Sequence, residues 1–296
     1  MQIFNNLNIN PNLSLALGYF DGVHLGHKAV IENAVRYAHE NNTKSAVITF
    51  KEHPCCYLWG VCPKYILTRK MREEKIANLG VDYLYELNFE KIRNLDAYEY
   101  LQDILMKYFK PKSISAGWNH NFGCNKTGNG KFLKDNCLQY GYEYFEIEPS
   151  KYQGDLISST RIRNLLTVGD IESANSMLGY QFSIFGKVIR GRQIGRTIGF
   201  PTANINYPDE LIELPYGVYS VIVKYKNNKY AGIANFGIRP TVNGSGTLLE
   251  VHISDFDKMI YDENIEILFN KMIRKEQKFA SLDDLKEQIK KDMHFM

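Results

Sequence analysis

The chain has 296 residues and a formal net charge of +3, enough length for two ordinary domains. Basic and acidic residues alternate along it, which argues against a cationic arm for nucleic acid. No run approaches the ~20 apolar residues of a membrane helix.

The polar, Asn-rich stretch from Met1 to Pro11 does not read as a secretory signal. The cysteines Cys55, Cys56, Cys62, Cys124 and Cys137 match none of the usual zinc spacings, despite the nearby His53. They read as reduced thiols in a cytoplasmic protein. Leu13–Gly18 has the form of a buried strand, His27–Glu40 has helical spacing (Val30, Ala34, Val35, Ala38), and Ser45–Phe50 is a second apolar strand. Helices are expected over Arg69–Leu79, Ala97–Phe109 and Lys131–Tyr140, with strands over Asp82–Leu87, Ser113–Ala116 and Tyr142–Glu146. A Gly/Asn-rich loop covers Gly117–Gly130. This alternation predicts an α/β domain with a parallel sheet whose ligands sit at the carboxyl ends of the strands. Ser159–Leu166 and Asp170–Leu178 read as two closing helices. Beyond Gly179–Phe182 the pattern becomes β-rich: Ser183–Ile189, Gly217–Tyr225, Lys229–Asn235, Leu248–Ile253 and Ile265–Ile273, with turns at Asn227-Asn228 and Asn243-Gly244. These runs predict a small antiparallel barrel, closed by a helix over Ser281–Met293 with a Ser N-cap and an acidic first turn. The expected domains are residues 1–180 and 181–296.

Gly18-Tyr19-Phe20-Asp21-Gly22-Val23-His24-Leu25-Gly26-His27 leaves a strand and opens a helix. Glycines allow close backbone approach, and a helix N-terminus attracts phosphate. His24 and His27 are three apart and share one face of the first turn. Such a pair elsewhere is often capping or surface decoration; here the glycines and the strand–turn–helix context favour nucleotidyl transfer. In Ile157-Ser158-Ser159-Thr160-Arg161-Ile162-Arg163, hydroxyls at a helix start precede two arginines, which suits polyphosphate as well as an ordinary cap. Glycines and arginines alternate from Gly186 to Gly199, followed by Pro201-Thr202-Ala203-Asn204. Extended, Thr202 and Asn204 share a face and offer hard oxygens to Mg²⁺; without context the stretch is a turn. On Leu248–Ile253, Glu250 and His252 fall opposite the core-facing Leu249, Val251 and Ile253.

These runs together resemble the bacterial bifunctional riboflavin kinase/FAD synthetase (FMN adenylyltransferase) family over nearly the whole chain. Gly18–His27 is similar to its His-x-Gly-His adenylyltransferase signature, Ile157–Arg163 to its second signature, and Thr49–Pro54 to a motif ending Pro-His-Pro, with Glu52 in place of the first proline. Gly117–Gly123 resembles Gly-x-Asn/Asp-Phe-x-Phe-Gly, with His120 in place of the aromatic, and Asn129 is a further departure. Gly195–Asn204, Gly217-Val218-Tyr219, Gly237–Thr241, Leu249–His252 and Arg274/Glu276/Phe279 resemble the kinase half, with Asp262 where a glycine is usual. The resemblance implies His24 and His27 as catalytic. It implies ATP contacts from Gly18, Phe20, Asp21, Gly22, Asn119, Ser158, Ser159, Thr160, Arg161 and Arg163, and flavin contacts from His53 and Pro54. In the kinase half it implies Glu250 as the base, Gly191, Gly195, Gly199, Pro201, Asn235 and Arg239 around ATP and flavin, and Thr202 and Asn204 on Mg²⁺. Riboflavin, FMN and ATP are the expected substrates, with no nucleic acid or membrane partner; self-association is left open. The other readings are a kinase-only paralogue and a non-catalytic flavin- or nucleotide-binding regulator.

Overall fold

The computed structural model describes residues 1–191, 194–241 and 244–296, without the side chains of residues 194, 197, 238–241 and 244–246. Arg192, Gln193 and the turn residue Asn243 therefore lie outside the described residues, as does the side chain of Arg239. The chain forms two compact units, Met1–Ser159 and Thr160–Met296.

In the first unit the strands β1 (Gln2–Phe4), β2 (Leu13–Leu17), β3 (Lys44–Phe50), β4 (Tyr83–Leu87) and β5 (Ser113–Gly117) precede a short ribbon of β6 (Asn121–Phe122) and β7 (Gly128–Asn129), then β8 (Glu143–Ile147). The main sheet runs β1-β4-β3-β2-β5-β8, every pair parallel. Its central strand β2 is buried at every residue, which is why it reads as an apolar run rather than an alternation. Helix α1 (Leu25–Glu40) lies against β2, β3 and β5. It buries Val30, Ile31, Ala34 and Ala38 there, so Ile31 takes the core place expected of Val35. Full burial of a side chain of that size is worth about 1.5–3 kcal/mol.

Helices α2 (Pro54–Leu58), α3 (Arg69–Ala77), α4 (Phe89–Ile92), α5 (Ala97–Glu99) and α6 (Gly130–Tyr140) complete this unit. The helix expected over Ala97–Phe109 is α-helical only at its start and winds as a π-helix over Tyr100–Phe109. Its buried Tyr100, Leu101, Ile104, Leu105 and Phe109 recur at four- to five-residue intervals, which i→i+5 winding keeps on the core side. Strand β1, at the sheet edge, was not expected from its polar surroundings. Cys56 and Cys62, expected as thiols, form a disulfide with Cα atoms 4.3 Å apart: the turn of α2 and the bend at Gly60 (φ +68°) bring them together.

The second unit opens with α7 (Ser159–Val168, whose first residue belongs to the first unit) and α8 (Ile171–Leu178). Asn175 of α8 accepts a hydrogen bond from the Phe182 N–H (2.6 Å) and donates one to the Phe269 carbonyl (2.8 Å), fixing these helices to the β-rich part of the unit. After the short ribbon β9 (Lys151–Tyr152) and β10 (Asp155–Leu156) of the first unit, the strands β11 (Ser183–Ile189), β12 (Thr202–Asn206), β13 (Gly217–Tyr225), β14 (Asn228–Thr241), β15 (Gly244–Ile253) and β16 (Asn264–Lys275) close an antiparallel barrel in the order β11-β12-β15-β14-β13-β16. The expected barrel is present. Pro201–Asn204 is no turn, however: β12 runs between β11 and β15. A one-turn helix α9 (Ile194–Thr197) precedes it, and α10 (Leu282–Met293) ends the unit, capped by Ser281 and led by Asp283 and Asp284. Asp262 holds φ +67°, a left-handed turn that explains a usual glycine there, and it ion-pairs with Lys187 (2.7 Å).

Candidate active sites

Three of the singled-out motifs leave the carboxyl edges of three adjacent strands in the first unit. Gly18–His27 follows β2, Thr49–Pro54 spans the end of β3, and Gly117–Gly123 begins on the last residue of β5. Gly22 has φ +82°, and a Cβ there would lie 2.9 Å from Ile66, so the turn requires glycine. The buried Asp21 carboxylate accepts the Ile66 N–H (3.1 Å), and the Ser159 hydroxyl donates to the Asp21 carbonyl (2.9 Å). That bond ties the start of the second signature to the first. Ser158 is half-buried beside it; Thr160 is exposed, and Arg161 and Arg163 are half-buried on the first turns of α7, in the second unit. Phe20, at φ +60°, is buried and turns its ring edge-on to His27 (5.3 Å between centroids).

His24 is the N-cap of α1: its Nδ1 accepts the His27 N–H (3.3 Å), and the two rings stack with centroids 3.6 Å apart. A ring whose Nδ1 accepts is neutral and carries its proton on Nε2. Burial agrees, lowering the His24 pKa from 6.5 to about 4. His24 is thus a neutral N–H donor at the N-terminus of α1. His53 caps α2 in the same manner, with Nδ1 accepting the Cys55 N–H (3.1 Å), and Pro54 sits at the first helical position. Asn119 is exposed on the loop after β5.

Two residues that sequence reasoning passed over hold this arrangement together. The Tyr19 ring meets His53 edge-on (4.6 Å), and the guanidinium of Arg72 covers Tyr19 at 4.6 Å. Arg72 is buried, pairs with the fully buried Glu86 (3.0 Å) and donates to the Phe50 carbonyl (2.9 Å) and the Tyr19 carbonyl (3.4 Å). It therefore braces the ends of β2 and β3. The three departures from the family pattern in the first unit have local roles. The Glu52 carboxylate holds the Tyr57 hydroxyl above its ordinary pKa, Asn129 caps α6, and His120 stacks on Phe122 (5.8 Å, 23°) as the usual aromatic would.

Burial also lowers His120 to about 4, and its buried Nε2 has no hydrogen-bond partner among the described residues. For both imidazoles the folded value lies below the unfolded one. Between pH 6.5 and about 4 the unfolded chain binds more protons, so stability falls as pH drops through that window. For His24 the drop corresponds to about 3 kcal/mol when complete. The urea midpoint of the first unit is expected to fall between pH 7 and pH 5, and less steeply in His120→Phe; an identical slope in that variant would contradict the assignment.

In the second unit the register of β12, β15 and β14 sets Asn204 opposite Glu250 and Glu250 opposite Asn235, while Thr202 faces His252. Directly opposed residues point to the same face. Thr202, Asn235 and Glu250 line one cavity of about 330 Å³, with Arg274 of β16 and Leu285 and Ile289 of α10 across it. Arg274 ion-pairs with the buried Asp292 (2.8 Å), which seats α10. A second cavity of about 320 Å³ is lined by Arg196, Pro201, Thr202, Asp257 and Tyr261. Thr202 thus borders both cavities. Gly191 leaves no room for a side chain: a Cβ would lie 2.5 Å from the Asn204 amide. Gly195 lines the first cavity and Gly199 turns at φ +87°.

One unit presents imidazoles at a helix N-terminus, the kind of end that attracts phosphate; the other leads a glycine-rich loop into a threonine, an asparagine and a glutamate beside two cavities. This defines a two-site protein of nucleotide phosphate chemistry. A FAD synthetase family model matches residues 7–161, and a riboflavin kinase family model matches residues 178–296. Proteins named bifunctional riboflavin kinase/FMN adenylyltransferase are similar to this chain at 37% identity in Buchnera aphidicola (99% of this chain, 96% of the relative) and at 36% in Haemophilus influenzae (99% and 97%). A crystal structure described as a macrolide-efflux protein from Streptococcus pneumoniae superposes with a TM-score of 0.90 at 33% identity, covering 99% of this chain and 98% of that one. Among the described residues, no helix here is long and apolar enough to cross a membrane. The chain belongs to the bifunctional riboflavin kinase/FMN adenylyltransferase family.

Proposed function

We propose that this chain phosphorylates riboflavin to FMN and adenylylates FMN to FAD, each with its own ATP, at two separate sites. The observation that carries this reading is that each unit holds the residues one of the two reactions needs. In the second unit, the ribityl 5′-hydroxyl attacks the γ-phosphorus of ATP, Glu250 takes its proton, and ADP leaves. The flavin ring occupies the cavity between the barrel face and α10, and the nucleotide the one beside Tyr261. In the first unit, an FMN phosphate oxygen attacks the α-phosphorus of ATP and pyrophosphate leaves. No protein nucleophile is required; His24, His27 and the N-terminus of α1 stabilise charge growing on the phosphate oxygens. Asn119, Ser158 and Ser159 extend the ATP site of the first unit. His53 and Pro54 meet the flavin.

Mg²⁺ fits the kinase unit. The buried Asn204 Oδ1 has no hydrogen-bond partner among the described residues, its amide nitrogen donating instead to the Thr202 carbonyl (3.4 Å). Asn204 Oδ1 and the Thr202 hydroxyl are the hard oxygens that would hold the ion. Bound there, Mg²⁺ neutralises phosphate charge. Purified protein given riboflavin, ATP and Mg²⁺ is expected to yield FMN and then FAD by HPLC. FMN alone would leave a kinase, and neither product would overturn the proposal.

A further inference from the structure

We propose that His252 is a positioning residue of the kinase site, fixing Thr202 relative to Glu250 through the carbonyl of Pro201. The inference rests on the kinase reading above. The ladder between β12 and β15 begins at the pair Thr202 and His252. Just before it, Phe200 donates its N–H to the Gly195 carbonyl (2.8 Å) and Gly199 turns at φ +87°, but Pro201 has no N–H to donate. The His252 side chain holds this stretch. Its Nδ1 lies 2.9 Å from the Pro201 carbonyl, and since a carbonyl only accepts, Nδ1 carries the proton. The ring also packs edge-on against Phe200, with centroids 5.4 Å apart.

His252 and Glu250 are two residues apart on β15 and line the same cavity. The hydrogen bond therefore anchors the exit of the glycine-rich loop to the strand that carries the base. Pro201 and Thr202 both border the neighbouring cavity. A displaced Pro201 carbonyl moves the Thr202 hydroxyl and the phosphates it meets, while the flavin contacts of Asn235 and α10 stay in place. Because His252 also lines the flavin cavity, some loss is expected at riboflavin, but the larger loss should appear at ATP and Mg²⁺.

His252→Phe keeps a ring against Phe200 and removes the donor. His252→Asn keeps an N–H near the position of Nδ1. In steady-state riboflavin phosphorylation, His252→Phe is expected to raise the KM for ATP and for Mg²⁺ about tenfold, the scale of one lost hydrogen bond, with a smaller rise in the riboflavin KM and His252→Asn close to wild type. His252→Phe in a Thr202→Ala background should add little, because the effect passes through Thr202. Riboflavin binding by fluorescence quenching reports that the kinase unit of each variant is folded. The inference is overturned if the riboflavin KM rises as much as the ATP KM or more, if His252→Asn is as impaired as His252→Phe, or if the two substitutions multiply. A wild-type protein that makes no FMN overturns the kinase reading itself, and this inference with it.

Discussion

His27→Ala is expected to slow FAD formation from FMN by about 10²–10³-fold, the usual cost of removing one donor that meets charge developing in a transition state, and to leave FMN formation from riboflavin unchanged. The local geometry makes this substitution informative. His27 reaches the His24 cap through its backbone N–H (3.3 Å), which alanine retains, so α1 keeps its N-terminus. The imidazole itself is lost, with its stacking on His24 and its edge contact with Phe20. His24→Ala would confound two effects, since that side chain both caps the helix and presents Nε2–H. Because burial keeps His24 neutral down to about pH 4, its donor role should persist across pH 6 to 8. Separate assays from riboflavin and from FMN read the outcome; equal damage to both reactions would show that the histidines do not serve one site alone.

The central strands and α1 were legible because their signals are local. A strand buried on both faces is a short apolar run, and a strand–glycine–helix junction compresses Gly18–His27 into ten neighbouring residues. The signal failed where function or topology replaced apolar residues. β12 is absent from the expected β-rich runs because Thr202 and Asn204 stand where a strand normally carries apolar side chains, leaving an extended segment or a turn; its pairing with β15 decides for the extended one. β1 has three residues at a sheet edge, too few for a periodicity. Arg72 acts on Tyr19, 53 positions away, through a buried pair with Glu86, and no spacing rule reaches across that interval. The Cys56–Cys62 bridge depends on a bend at Gly60 that composition does not encode. Glu250 was separable from its neighbours by alternation alone. What alternation could not supply was the register that places Asn204 and Asn235 on either side of it.

That register makes Glu250→Ala the complementary experiment. FMN formation is expected to fall about 10²–10⁴-fold, the range for loss of a positioned proton acceptor, with FAD formation from supplied FMN unaffected. The alcohol's proton must leave as the new bond to phosphorus forms, and the neighbours opposite Glu250 across β12 and β14 are carboxamides, Asn204 and Asn235, which cannot take it. Glu250→Gln preserves shape and hydrogen bonding while removing the basic oxygen, so it should be nearly as slow as the alanine variant, and riboflavin binding by fluorescence quenching should survive in both. If the glutamine variant turned over like the wild type, Glu250 would be a packing residue and the proton would leave by another route. If the alanine variant lost FAD synthesis from FMN to the same degree, the kinase carboxylate would be serving both reactions, and the assignment of one site to each unit would be wrong.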